Sequence, residues 1–389
     1  MTLSEKALQK HYEWKGKIEI HTRCPLDNAD DLSLAYTPGV ATPCLEIEKN
    51  PALSFALTGR ANTVAVVTDG TAVLGLGDIG PEAAMPVMEG KCALFKAFGN
   101  IDAIPLCVRS KNPDEIVAAI SLLAGSFGGI NLEDISAPRC FEIERKLQEV
   151  CDIPVFHDDQ HGTAIVVGGA LLSACTLTQR SIAKIKCVIC GAGSAGMAIG
   201  KHLLQLGVTD LIMCDKDGIL GSGHTEVNAA QAEMLPYLNP RQIKGTLADA
   251  LVGADVLIGV SKGNIVSQDM VRQMAKNPIV FALANPTPEI SRDDALAAGV
   301  AVFGTGRSDY PNQINNVLAF PGVFRGALDC GAKRITDSMK LAASRALAGL
   351  ISPEELKNDY IIVSPFDKRA ASAVAEAVKQ AAIADGVCR

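Results

Sequence analysis

The stretch Gly191-Ala192-Gly193-Ser194-Ala195-Gly196 constrains this chain more than any other. It follows the apolar run IKCVIC, opens the helical pattern MAIGKHLLQLG, and is trailed by a second apolar run ending in Asp215. A bare G-x-G-x-x-G is weak. Strand, glycines, helix and acid at these offsets together read as the opening of a Rossmann-type dinucleotide-binding domain. The first glycine permits a tight turn, the second lets a pyrophosphate approach the backbone, and the third lets helix and strand pack closely. The phosphates then face a helix N-terminus, where unpaired N–H groups and the dipole favour anions. Asp215 would accept hydrogen bonds from the adenine ribose. Lys216 partly offsets its charge and Asp217 restores it, so the reading leans to NAD with NADP as the alternative.

With 389 residues the chain is long for one core and suits two domains. Ahead of the glycine turn, apolar runs alternate with helical patterns: TVAVVTDG (63–70), DAIPLCVRS (102–110), GGINLEDI (128–135) and DIPVFHDD (152–159). Behind it lie DLIMCDKDG, ADVLIGVSKG, PIVFALANP and VAVFGTG. This predicts an α/β chain: an N-terminal α/β catalytic domain with a mostly parallel sheet, residues 1–163, then a Rossmann-type domain, 164–389. From about 330 the pattern is helical and is expected to pack back across a domain or a partner subunit. The start reads as an amphipathic helix with Leu3, Ala7, Leu8 and Tyr12 or Trp14 as its apolar stripe.

A formal charge of -7 argues against nucleic acid or an anionic membrane as a partner. It also makes an anionic small substrate awkward unless a metal or a few local cations reverse the field. The best apolar run, AIVVGGALLSACTL (164–177), is short for a bilayer span, and the start lacks a secretory h-region. Twelve cysteines then suggest reduced thiols in a cytosol. Cys187 and Cys190 match C-x-x-C but lie inside an apolar strand pattern, which predicts small core residues in place of a redox pair.

Three acidic clusters, TDG, NLEDI and FHDD, fall at strand ends, where parallel sheets gather their ligands. The segment VFHDDQHGTA (155–164) carries His157 and His161 beside Asp158 and Asp159. Zinc would want both histidines on one helix face, with Cys or His completing the set. Pro154 and Gly162 suggest a strand-to-turn passage instead. The four carboxylates Glu133, Asp134, Asp158 and Asp159 suit a hard divalent ion, Mg²⁺ or Mn²⁺.

Taken together, LAYTPGVATPCLEI (34–47), VTDGTAVLGLGDIGPEAAMPVMEGK (67–91), FGGINLEDI, PVFHDDQHGTA, GAGSAG, ALANPTPEI (282–290) and TGRSDYPNQINNVLAFPG (305–322) resemble the short bacterial form of malic enzyme, nearly end to end. The resemblance implies oxidative decarboxylation of (S)-malate to pyruvate and CO₂ with NAD(P) and Mg²⁺ or Mn²⁺, in a homodimer. Carried over by motif, Glu133, Asp134 and Asp159 are metal ligands, and Asp158 is an acid behind them that orients ligands and nearby cations. Lys91 is the base for the C2 hydroxyl, and Tyr36 the acid that protonates C3. Asn285, Asn315 and Asn316 hold substrate carboxylates and the nicotinamide side. A neutral Lys91 is expected because a nearby divalent cation, a helix N-terminus after Pro86 and desolvation on closure of the site all disfavour its charged form. Larger relatives carry an arginine just after the TDG turn that grips a substrate carboxylate. Thr71-Ala72 stands there instead, and Arg307 is a substitute candidate. Alternatives are a malolactic enzyme releasing lactate with NAD kept bound, a non-catalytic dinucleotide-sensing relative, and an amino-acid dehydrogenase of the same two-domain type.

Overall fold

The computed structural model describes residues 1–73, 75–221 and 227–389. Its first sheet has four parallel strands, β1 Thr63–Thr68, β2 Asp102–Cys107, β3 Gly129–Leu132 and β4 Val155–His157, in the order β2-β1-β3-β4. The second has β5 Lys186–Cys190, β6 Asp210–Asp215, β7 Gly218–Ile219, β8 Val256–Gly259, β9 Ile279–Ala282 and β10 Val302–Thr305. Their order is β10-β9-β8-β5-β6-β7, parallel throughout except for β7. Each apolar run that alternates with the helical patterns contains a strand, whereas the run 164–177 is helical. The two-residue β7 is too short to leave a periodic signal.

Parallel strands covered on both faces read as continuous hydrophobic runs, and Val64–Val67 are fully buried. Cys187 and Cys190 lie in two different apolar clusters on opposite faces of the second sheet, and burial pushes the Cys190 thiol up to about 12. They are core residues, as their strand pattern predicts.

Two helices position the site. One spans Pro81–Gly99 and carries Lys91; Pro86 lies inside it, so the helix N-terminus expected after Pro86 is at Pro81, and Lys91 sits mid-helix. The other spans Asp158–Leu177. It begins directly after β4, so VFHDDQHGTA is a strand-to-helix passage and the turn expected there is absent. The boundary expected at 163 falls inside this helix, and Gly162 is helical because its missing side chain lets Asp158 lie against the first turn. By length and composition this helix could cross a membrane, but 72% of its apolar window is buried inside the protein. It packs against helices Ser194–Leu206 and Asp337–Ala348 as a core element.

The two sheets share one apolar core. Helix Phe320–Asp329, from beyond the second sheet, sets Phe320 and Phe324 edge-on against Phe95 at 4.7 and 5.3 Å between ring centres. Helix Lys368–Ala384 packs over it, and a side chain at Gly326 would meet the Ala375 carbonyl at 2.3 Å. The C-terminal helices thus pack back across the domains of this chain. Residues 1–62 differ: none of their helices buries a residue, and the stripe of helix Leu3–Trp14 stays open, with Leu3 85% and Tyr12 76% exposed.

Candidate active site

At the C-terminal ends of β3 and β4, four acids and one lysine meet. Glu133 and Asp134 follow β3; Asp158 and Asp159 open the helix after β4. Lys91 Nζ lies 2.8 Å from Glu133 Oε1 and 2.5 Å from Asp158 Oδ2, with all three groups buried. The ring of Phe320 lies 4.1 Å beneath the ammonium and keeps water from that side. Asn131 donates to Glu133 Oε2 at 2.9 Å, and Asn316 donates to Asp158 Oδ2 at 2.5 Å.

Oxygens of Glu133, Asp134 and Asp159 lie within 4.8 Å of one another. The Asp134 backbone is left-handed, with φ +53°, and its N–H donates to Asp159 Oδ2 at 2.8 Å. Its Oδ2 is buried without a partner. Four carboxylates around one ammonium leave three negative charges uncompensated, and a divalent ion would remove two. The pKa directions say the same. Burial, then the charges of Asp159 and Glu133, push Asp134 up to about 8. Burial and Glu133 push Asp158 up to about 8 against the pull of Lys91. Glu133 and Asp159 are also raised by burial. An all-oxygen set of this kind fits Mg²⁺ or Mn²⁺.

Lys91 departs from expectation. Burial alone would lower its pKa, but Asp158, Glu133 and Asp159 outweigh that and hold the ammonium above the ordinary lysine range. The helix N-terminus invoked to neutralise it, at Pro81, is nearly three turns away. Tyr36 is 67% exposed on the N-terminal arm, and among the described residues none makes a hydrogen bond or ring contact to its side chain. Arg307 is tied to Asp309 at 2.6 Å and lies near the Pro286 carbonyl, so its charge is already engaged. His161 pairs with Glu144 at 2.9 Å, and His157 is fully buried with Nδ1 3.8 Å from Asp159. Neither histidine joins the oxygen cluster.

Just after the TDG turn, Thr71 acts as a knot. Its hydroxyl donates to Asp69 at 2.6 Å and accepts from the Ser136 N–H and Arg139 Nη2. Ala72 N–H then donates to the Asp134 carbonyl at 2.9 Å, tying the TDG turn to the acidic loop. Reading motifs missed Arg139, Asn131 and Glu144. Glu144 had a signal: it lies in the buried stripe Cys140, Ile143, Glu144, Leu147, an acid where an apolar residue is expected.

The second site opens where strand order reverses, between β5 and β8. Gly191 has φ +117°, and a Cβ there would sit 2.6 Å from the Val260 carbonyl. A Cβ on Gly196 would sit 1.8 Å from the Gly191 carbonyl, so helix Ser194–Leu206 can approach the turn only with glycine there. Around Gly193 nothing lies within 4 Å of that position, and the helix start has no side-chain cap. Ala192, Ser194 and Ala195 complete this open turn. Asp215 ends β6 and accepts the Asp217 N–H at 2.8 Å. Asn285, at a cis bond to Pro286 after β9, lies exposed beside Gly75 of the first domain. Asn315 caps its own short helix through Val317 N–H; of the three asparagines, Asn316 is the one that reaches the acids.

Fold and site together define a class: two-domain dinucleotide enzymes whose second centre is built from buried carboxylates around a lysine. Comparison narrows it. Residues 15–148 match the family description "Malic enzyme, N-terminal domain" and 160–383 match "Malic enzyme, NAD binding domain". The chain belongs to the malic enzyme family, and its second domain is that family's NAD-binding domain. It is 53% identical over 390 residues to the bifunctional malic/malolactic enzyme of Bacillus subtilis, covering all of this chain and 95% of that protein. It is 53% identical to the NAD-dependent malic enzyme of Geobacillus stearothermophilus, covering 96% of this chain and 78% of that one. The solved malic enzyme of Pyrococcus horikoshii superposes with a TM-score of 0.96 at 43% identity, over 100% and 92% of the two chains. The NAD-dependent malic enzyme of Thermotoga maritima gives 0.93 at 46%, over 96% and 98%.

Proposed function

We propose that this chain catalyses the divalent-metal-dependent oxidative decarboxylation of (S)-malate to pyruvate and CO₂, with NAD preferred over NADP. The observation that carries the reading is the convergence of Glu133, Asp134 and Asp159 oxygens within 4.8 Å beside the Lys91 ammonium. When bound, Mg²⁺ or Mn²⁺ would act as a Lewis acid for the charge developing on the substrate, and the nicotinamide would take up the C2 hydride. Lys91 removes the C2 hydroxyl proton. It can do so only once the charge of the surrounding acids is compensated, because those acids hold its own proton in place. Asp158, in contact with Nζ and shared with Asn316, is placed to accept that proton. Asn285 and Asn316, both carried by the cofactor domain, would hold the substrate, Asn316 from its position on Asp158.

Tyr36 supplies the proton to C3. It lies on the uncovered N-terminal arm, so its approach depends on what covers that arm. A homodimer, in the cytoplasm, meets that need: Leu3, Tyr12, Ile20 and Leu34 are largely exposed there, more apolar surface than a lone subunit commonly leaves in one segment. Light scattering on the purified protein checks the assembly.

Absorbance at the NADH band tests the chemistry, with (S)-malate and NAD or NADP, each with and without EDTA. The reading expects one pyruvate per NADH, faster with NAD, and no turnover in EDTA. Turnover insensitive to EDTA, or none with Mn²⁺ present, rejects it. The 53% identity to a bifunctional malic/malolactic enzyme favours a second reading in which lactate also forms. Lactate appearing without net NADH would support it.

A further inference from the structure

Helix Asp158–Leu177 delivers Asp158 to Lys91 and Asp159 to the oxygen cluster from its first two residues, yet no side chain caps it from within its own segment. What fixes its start comes from the neighbouring helix Arg139–Val150. Glu144, 7% exposed, accepts the backbone N–H of His157 at 3.0 Å. The same carboxylate holds the His161 ring, with Nε2 2.9 and 3.0 Å from its two oxygens. His157 precedes the helix and His161 closes its first turn. Glu144 therefore grips the segment on both sides of Asp158 and Asp159. A carboxylate at a helix N-terminus is also favoured by the helix dipole.

We propose that Glu144 is a positioning residue for the acidic centre: by clamping the His157 N–H and the His161 imidazole, it sets the register in which Asp159 meets Glu133 and Asp134. The inference rests on the metal reading above and deepens it. Partners that orient ligands from behind are typically worth roughly 10- to 100-fold in metal affinity. Loss of the clamp lets the first helical turn relax away from the acidic loop, and the three carboxylates no longer converge. Catalysis suffers through Asp159, since Glu144 touches none of the reacting groups.

The test is Mn²⁺ binding to the purified full chain, followed by the loss of the free-ion electron paramagnetic resonance signal, alongside thermal melting without metal. Glu144→Leu keeps the volume and removes both acceptors; it is expected to weaken Mn²⁺ binding by about 10- to 100-fold. Glu144→Gln keeps an acceptor for the His157 N–H and can still bond the imidazole, so it is expected to stay within about threefold of the parent. A purely structural role predicts a lower melting temperature in Glu144→Leu with Mn²⁺ affinity unchanged, and that result overturns the proposal. If Glu144→Leu does not fold, Glu144→Gln decides: a loss as large as that expected for Leu contradicts the clamp. No Mn²⁺ binding by the parent chain sinks the metal reading itself, which is a different outcome.

Discussion

The two strand-end sites of this molecule are built on opposite principles. At β5 the dinucleotide turn works through what is missing: glycines let backbone approach backbone, and open space is left at Gly193. At β3 and β4 the acidic centre works through what is crowded in, with buried charges held in place by donors such as Asn131, Asn316 and the Asp134 N–H. A backbone site tolerates little added volume. A side-chain site tolerates little lost charge. The two should therefore fail independently and in different ways.

The largest effects belong to the charged centre. Asp134→Asn removes one of three converging carboxylates and is expected to abolish detectable Mn²⁺ binding while leaving NAD binding, measured by fluorescence, unchanged. Lys91→Ala should lower kcat by about 10²- to 10⁴-fold, the usual worth of a positioned proton-transfer group, in a steady-state assay. The converse variant, Gly196→Ala, places a methyl 1.8 Å from the Gly191 carbonyl. Overpacking of this kind costs about 1–3 kcal/mol, so if the turn bears that cost NAD affinity should fall about 5- to 150-fold with Mn²⁺ affinity preserved. If either variant damages both sites equally, the separation drawn here is wrong.

Smaller effects sharpen the picture. Thr71→Val keeps the shape but cuts the ties to Asp69, Arg139 and the Ser136 N–H. It should weaken Mn²⁺ binding by roughly tenfold, and Thr71→Ser should restore it. Away from both sites, His202 is held down to about 3 by burial and bonds Ser344 Oγ at 2.7 Å. An unfolded histidine titrates near 6.5, so between those values the unfolded chain binds more protons and stability falls as pH falls. His202→Gln should flatten the decline in melting temperature between about pH 6.5 and 4.

The difference between the sites also explains what could be read from the sequence. Gly191, Gly193, Gly196 and Asp215 belong to one continuous βαβ unit, so their spacing is their geometry. The parallel strands of both sheets are equally plain, since buried parallel strands are apolar runs, and only the short antiparallel β7 is not. The acidic centre draws on β3, β4, helix Pro81–Gly99 and the loop before Phe320, and no spacing encodes how these meet. Glu133, Asp134 and Asp159 could be proposed because each ends a strand or starts the next helix. That Lys91 is clamped by Asp158 could not, because they are 67 residues apart. After His157 the chain starts a helix in place of a turn, because Gly162 makes room for Asp158 within the first turn and does not break it. Tyr36 has no spacing to the acidic centre that the sequence encodes, because it stands on the exposed N-terminal arm, 55 residues before Lys91.

Anomalous diffraction from a crystal of the full chain soaked in Mn²⁺ probes the acidic centre most directly. The account predicts one strong peak within coordination distance of carboxylate oxygens from Glu133, Asp134 and Asp159, close to Lys91 Nζ. A crystal with those three side chains ordered and no peak between them, or with the ion seated on other residues, would contradict it.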